Sequence, residues 1–255
     1  HQQVYTSINN GNQMPLLGLG VYDMYAAEAV EAVRFALETG YRLIDTAAMY
    51  ENESQIGEGI RQSGIPRDEI FLTTKVNNTD QGYDQTLKAF DESLKKLNTE
   101  YIDLYLIHWP IKNKRKETWK AIEYLYQHKR VKNIGVANYL LPFLKELEAY
   151  SNVTPAVNQM EFSPFLFMED EWNYCNQHQI ILQAYTPLIR GQKFNDPRLQ
   201  ALALKYQKTS AQLILRWAIQ QGISSIPKSS NASRIKENFN IFDFEIAQTD
   251  IEQMN

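Results

Sequence analysis

One cysteine, Cys175, stands among 255 residues, which excludes an internal disulfide framework and points to a reducing, cytoplasmic setting. Long apolar runs are missing too. Apolar runs such as Ile180 to Leu182 and Leu213 to Leu215 fall far short of the roughly 20 residues needed to cross a bilayer, so no membrane is expected as a partner. The N-terminus has neither the charged start nor the apolar run of a signal peptide. Positive charge is not in excess: 26 Lys and Arg against 30 Asp and Glu give a formal net charge of −4. With no arginine-rich helix or basic-aromatic interleaving, nucleic acid is not an expected partner. The short cluster Lys112, Lys114, Arg115 and Lys116 reads as a solvated surface before a helix. The histidines (His1, His108, His128 and His178) make no metal-ligand spacing, so no metal is expected. No glycine-proline-rich junction, low-complexity linker or internal repeat divides the chain, and residues 1–255 are expected to form a single domain working as a monomer.

What the chain does have is alternation. Short β-branched or apolar runs start near Leu17, Leu43, Ile70, Leu104, Asn133, Ala156, Ile181 and Ser224, and amphipathic helical stretches lie between them. This is the pattern of repeated βα units on a parallel sheet. Eight such runs predict a closed α/β barrel, the (β/α)8 or TIM barrel. An open doubly wound sheet is the rival, but it would place a glycine-rich phosphate turn after its first strand. Gly18 and Gly20 lack the third glycine of that turn and read as strand-end residues. Ahead of the first run, Tyr5 to Ile8 and Gln13 to Pro15 flank Asn9-Asn10-Gly11-Asn12, which predicts an N-terminal β-hairpin closing the barrel floor.

In such a barrel the reactive groups gather at the C-terminal ends of the strands. Asp45 closes the second predicted strand, Lys75 the third and His108 the fourth, while Tyr50 sits just after the second. Singly, each has an ordinary structural reading: a cap, a strand-end cation, a core histidine, a half-buried ring. Together, an Asp, a Lys and a His at the ends of successive buried strands would be costly unless they paired with one another. They also form a coherent proton-donating device. A free tyrosine, with a pKa of about 10, is a weak acid near neutrality. A nearby ammonium is expected to lower that value, and a carboxylate keeps the ammonium charged. Lys75 and Asp45 fit those roles. A neutral imidazole, His108, can donate to a carbonyl oxygen and stabilise developing charge.

At these residues the chain resembles the aldo-keto reductase family, of the short-loop microbial type that includes 2,5-diketogluconate reductases. Gly40-Tyr-Arg-Leu-Ile-Asp-Thr-Ala-Ala-Met-Tyr50 with Glu51-Asn-Glu and Ile56-Gly57 is similar to the family's first signature. Ile102-Asp-Leu-Tyr-Leu-Ile-His-Trp-Pro110 resembles the second, and Ile226-Pro-Lys-Ser229 with Arg234, Glu237 and Asn238 the third. Leu72-Thr-Thr-Lys75, Ile134-Gly-Val-Ala-Asn138 and Val157-Asn-Gln-Met-Glu161 fall in order between them.

The resemblance implies NADPH bound across the barrel mouth without a Rossmann domain. Asn138 and Gln159 would bond its carboxamide, near Asp45. Tyr185 would stack on the nicotinamide ring, with Thr186 and Leu188 following in the same loop. Lys228, Ser229 and Arg234 look like a clamp for the adenosine 2′-phosphate, with Glu237 and Asn238 meeting the adenine. A guanidinium fork, an ammonium and a hydroxyl suit a dianionic phosphate. The family usually carries serine before Asn138; Ala137 stands there in this chain and removes one candidate carboxamide hydrogen bond, worth about 1 kcal/mol. The implied reaction is reduction of a small aldehyde, ketone or dicarbonyl by hydride transfer, with Tyr50 as general acid. Val21, Tyr22, Val76, Asn77, His108 and Trp109 follow barrel strands and are expected to line the substrate entrance. The short 110–116 loop, and a chain that ends at Asn255 soon after a helix start, imply an open pocket. Two rival readings remain at this level: a cofactor-binding regulatory barrel with weak activity, and a barrel isomerase or lyase in which Lys75 forms a Schiff base.

Overall fold

The computed structural model describes residues 2–185 and 187–255. It opens with an antiparallel hairpin, β1 (Tyr5–Ser7) and β2 (Gln13–Pro15), paired from Tyr5↔Pro15 to Ser7↔Gln13. Eight parallel strands follow: β3 (Leu19–Gly20), β4 (Leu43–Asp45), β5 (Phe71–Val76), β6 (Leu104–Ile107), β7 (Ile134–Ala137), β8 (Val157–Glu161), β9 (Ile181–Tyr185) and β10 (Ser224–Ser225). Each pairs with its neighbour in chain order. Parallel bridges Leu17↔Ser225 and Gly20↔Lys228 join the last strand to the first and close the ring. The expected barrel is therefore the observed fold.

The helices pack outside because their apolar residues recur at helical spacing. In α1 (Ala26–Thr39), Ala29, Ala32, Val33, Ala36 and Leu37 form one buried stripe. It continues through α2 (Glu53–Ser63), α3 (Tyr83–Leu97), α4 (Arg115–Gln127), α5 (Leu141–Tyr150), α6 (Glu169–Gln177), α7 (Pro197–Tyr206) and α8 (Ser210–Gln220). Two helices follow, α9 (Ala232–Phe239) and α10 (Gln248–Met254). The sequence reading assigns no helix to 232–239, although Asn231 caps it by accepting from the Arg234 amide at 3.1 Å.

Strand alternation sorts side chains between two compartments. Ile44, Leu72, Val76, Tyr105, Ile107, Ile134 and Val136 face the helices in the large outer core. Leu43, Phe71, Leu104, Leu106, Ala137, Val157 and Ile226 fill the barrel with Ile8 and Met14 from the hairpin. Gly135 is required by that filling: a Cβ there would lie 2.9 Å from the Leu106 side chain and 2.6 Å from the Val157 carbonyl oxygen. The hairpin turn is bolted to the floor. Asn10 and Asn12 each donate to Asn133 Oδ1, at 2.8 and 3.1 Å, and Asn9 donates to the Pro155 carbonyl at 3.1 Å. A floor packed with Met14 and Phe71 leaves the opposite end of the barrel as the place where polar residues collect. No helix among the described residues is long and apolar enough to cross a membrane.

Candidate active site

Asp45, Lys75 and Tyr50 meet at the C-terminal mouth. Lys75 projects inward from β5 and is fully buried. Its three ammonium protons have three acceptors: Asp45 Oδ2 at 2.8 Å, the Thr46 carbonyl at 3.0 Å and the Tyr50 hydroxyl at 3.3 Å. Burial works against the charge on Lys75, but Asp45 and Tyr50 outweigh it and leave the ammonium above the ordinary lysine value. A lysine held charged in this way is a poor Schiff-base nucleophile, which counts against the isomerase reading.

The Tyr50 phenol departs from expectation. Burial pushes it above the ordinary tyrosine value and Lys75 only opposes that rise, so the net shift is upward rather than the expected downward one. Desolvation of a phenolate on the barrel rim outweighs a single cation that already serves Asp45. His108 behaves as expected. Burial, with Lys75 adding to it, lowers the imidazole pKa to about 3, so the ring is neutral at any physiological pH. Its centroid lies 5.9 Å from that of Tyr50 in an edge-on arrangement, and its Nδ1 has no hydrogen-bond partner among the described residues.

These groups open into a cavity of about 370 Å³. Of the residues singled out in the sequence, Asp45, Tyr50, His108, Asn138, Gln159, Tyr185, Leu188, Lys228, Val21, Tyr22 and Trp109 line it. Asn138 follows β7 in the left-handed region, with φ 62°, a conformation asparagine tolerates better than most residues. That turn sends its amide to the His108 carbonyl at 2.9 Å, and its oxygen accepts from the Tyr185 hydroxyl at 2.6 Å. Gln159 donates to Asp45 Oδ1 at 2.8 Å, so the wall of the cavity is bonded directly to the ion pair.

Two expected lining residues are elsewhere. Val76 is fully buried in the outer core because Lys75 takes the inward position on β5 and its neighbour must face the helices. Asn77, one residue past the strand, is not among the lining residues. Ser229, Arg234, Glu237 and Asn238 lie beyond the cavity lip, in the loop after β10 and on α9. Ser229 is buried and accepts from the Asn231 amide at 3.1 Å, Arg234 is exposed, Glu237 is half-buried and Asn238 is buried. Thr186 lies outside the described residues. Met49, Pro187, Ile226 and Pro227 also line the cavity and were not singled out. The one sequence signal for Met49 was its place next to Tyr50; the structure leaves it 40% exposed.

The model of the Aldo/keto reductase family matches residues 16–255. The chain belongs to the aldo-keto reductases. Glyoxal reductase of Bacillus subtilis is 47% identical over 249 residues, covering 97% of this chain and 90% of that protein. Among solved structures, an aldo/keto reductase from Brucella melitensis superposes with a TM-score of 0.96 at 48% identity, covering 99% of this chain and 98% of the other. A Bombyx mori aldo-keto reductase in complex with NADP superposes at 0.93 with 36% identity, covering 100% and 92%.

The mouth of this reductase has the chemistry to take a nicotinamide carboxamide. Asn138 has one amide hydrogen left after bonding His108, and no described residue donates to the Gln159 side-chain oxygen. A donor and an acceptor therefore flank one wall of the cavity, with the Tyr185 ring beside them. Lys228 is exposed at the lip, and no hydrogen bond or ion pair to a described residue engages the Arg234 side chain. Among the described residues neither cation has a side-chain partner, and both are placed where a phosphate could reach them.

Proposed function

We propose that this reductase converts small aldehydes, ketones or dicarbonyls to alcohols, with NADPH as hydride donor and Tyr50 as proton donor. The observation that carries the reading is the hydrogen bond from Lys75 to the Tyr50 oxygen at 3.3 Å. That oxygen accepts from Lys75, so the phenol's own proton is not committed to it and is available to a carbonyl oxygen in the cavity. The phenol holds its proton at neutral pH, as an ordinary tyrosine does, and Lys75 limits the rise that burial imposes on it. Asp45 keeps Lys75 charged and fixed, and the ammonium stabilises the phenolate left after transfer. The neutral His108 imidazole donates to the same carbonyl oxygen and orients it.

Bound NADPH supplies the hydride. Asn138 and Gln159 would hold its carboxamide, and Tyr185 and Leu188 would border the ring. Lys228, Ser229 and Arg234 grip the 2′-phosphate, with Glu237 and Asn238 at the adenine. The Bombyx mori relative in complex with NADP supports the choice of dinucleotide, and the glyoxal reductase relative supports dicarbonyls within the substrate class. Val21, Tyr22, Met49 and Trp109 form an apolar, aromatic entrance with no charged side chain among them, which favours uncharged carbonyls.

Loss of 340 nm absorbance is followed with NADPH and a panel of aldehydes, ketones and dicarbonyls. Turnover of several of these carbonyls is expected. Tight NADPH binding with no turnover across the panel would instead mark a cofactor-binding barrel without catalysis.

A further inference from the structure

Glutamine is an unusual occupant of a barrel interior, yet Gln183 is fully buried there in the middle of β9. A primary amide in that position is costly unless its polar atoms are paired. They are: Gln183 Oε1 accepts from Gln159 Nε2 at 2.9 Å, and Gln183 Nε2 donates to Ser224 Oγ at 3.2 Å. Ser224 Oγ in turn donates to the Pro15 carbonyl in the floor hairpin at 3.3 Å. The polar chain therefore runs from the ion pair at the mouth, through Gln159, Gln183 and Ser224, to the floor.

Its consequence falls on Gln159. The Gln159 amide has two hydrogens, and both are taken, one by Asp45 Oδ1 at 2.8 Å and one by Gln183. Asp45 alone would occupy one hydrogen and leave the other free to turn toward the cavity. With Gln183 in place, Gln159 presents only its carbonyl oxygen there. We propose that Gln183 is a positioning residue that makes Gln159 a pure acceptor, so that the site selects a cofactor ring bearing an N–H donor on its carboxamide. This rests on the NADPH reading above and adds a residue through which the cofactor's amide polarity is read.

The direct test uses binding rather than turnover. NADPH and its reduced 3-acetylpyridine analogue, whose methyl group replaces the carboxamide NH2, are titrated by quenching of protein fluorescence. Wild-type protein is expected to bind the analogue about five- to tenfold more weakly than NADPH, the range of one neutral hydrogen bond. Gln183→Met has similar length and no acceptor; there the freed Gln159 hydrogen turns to the cavity, and the ratio should fall below about twofold. Gln183→Glu, titrated near pH 6, where burial favours the protonated acid, keeps both an acceptor for Gln159 and a donor for Ser224 and should restore the wild-type ratio. A merely structural role would weaken both ligands alike and leave the ratio unmoved. An unchanged ratio in Gln183→Met, or a wild-type protein that binds both ligands equally, overturns the proposal while leaving the NADPH reading intact. Failure of wild-type protein to bind either ligand overturns the NADPH reading itself. Should Gln183→Met not fold, Ser224→Ala, which loosens Gln183 from below, should narrow the ratio part of the way, and no narrowing there also overturns the proposal.

Discussion

The reductase reading joins two charged regions that are built on opposite terms. At the mouth, Asp45 and Lys75 are 2% and 0% exposed, and every proton on the ammonium has an acceptor inside the protein. On the lip, Lys228 and Arg234 are exposed, and the backbone around them is held by small caps such as Asn231 rather than by the cations themselves. The mouth is preorganised: its geometry exists before any ligand arrives, because unpaired charges could not remain buried there. The lip can wait for its partner, since exposed cations lose little by staying hydrated. Mutations should therefore cost stability and chemistry together at the mouth, and cofactor affinity alone on the lip.

The largest effect on that contrast is expected from Lys75→Met. It leaves the Asp45 carboxylate buried without its cation, which costs roughly 3 to 5 kcal/mol. It also removes the one group opposing the upward shift of the Tyr50 phenol, so turnover should collapse. Asp45→Asn combined with Lys75→Met should recover much of the melting temperature and none of the activity. Recovery of activity in the double variant would show that the pair is only a structural filler.

A smaller effect is expected from the lip. Arg234→Ala should weaken NADPH by an order of magnitude or more, because a charge-assisted contact contributes roughly 1.5 to 3 kcal/mol. NADH affinity and melting temperature should barely move. Titration of both nucleotides checks this, with Lys228→Ala and the double variant alongside, since the two cations share one phosphate in this reading. Equal weakening of NADPH and NADH would reduce the segment to a fold support.

On the rate, the smallest effect is that of pH. With the His108 pKa near 3, the rate of carbonyl reduction should show no inflection at the ordinary histidine value of about 6.5. Stability carries the opposite sign. The folded state binds the proton less readily than the unfolded chain, so the His108 contribution declines as pH falls from about 6.5 toward 3, at up to roughly 1.4 kcal/mol per pH unit. In His108→Asn the acid-side loss should be shallower in denaturant titrations at successive pH values. A rate inflection near 6.5 that disappears in this variant would contradict a neutral imidazole.

The difference between the two regions also explains what could be read in advance. Strand positions followed from apolar periodicity; Leu43–Asp45 appears with its expected bounds and the ninth strand starts at Ile181 as expected. The ion-pair partners could be read because a charged residue at the end of a buried strand needs a partner, and only a few candidates share the mouth. Val76 failed because its placement ignored strand parity: once Lys75 is inward, the next residue cannot be. The upward shift of Tyr50 was missed because desolvation depends on how deeply the ring is enclosed, a quantity that spacing does not carry. Gln183 did leave a signal, as an amide inside the apolar run Ile181-Leu-Gln-Ala-Tyr185 at the same parity as Tyr185, and its partner Gln159 shares that inward face. The roles assigned on the lip came from resemblance, because exposed side chains without internal partners carry little physical constraint of their own.

The central claim is that Tyr50 gives the proton while the rest of the site binds and orients. Its most direct measurement pairs two readings on Tyr50→Phe: NADPH affinity by fluorescence titration, and the single-turnover rate of NADPH oxidation with a carbonyl that the wild-type protein reduces. Affinity should stay within about twofold of wild type, because the ring remains, while the rate falls by about 10² to 10⁴, the range of a lost general acid. A rate near that of the wild-type protein, with NADPH bound normally, would contradict the account.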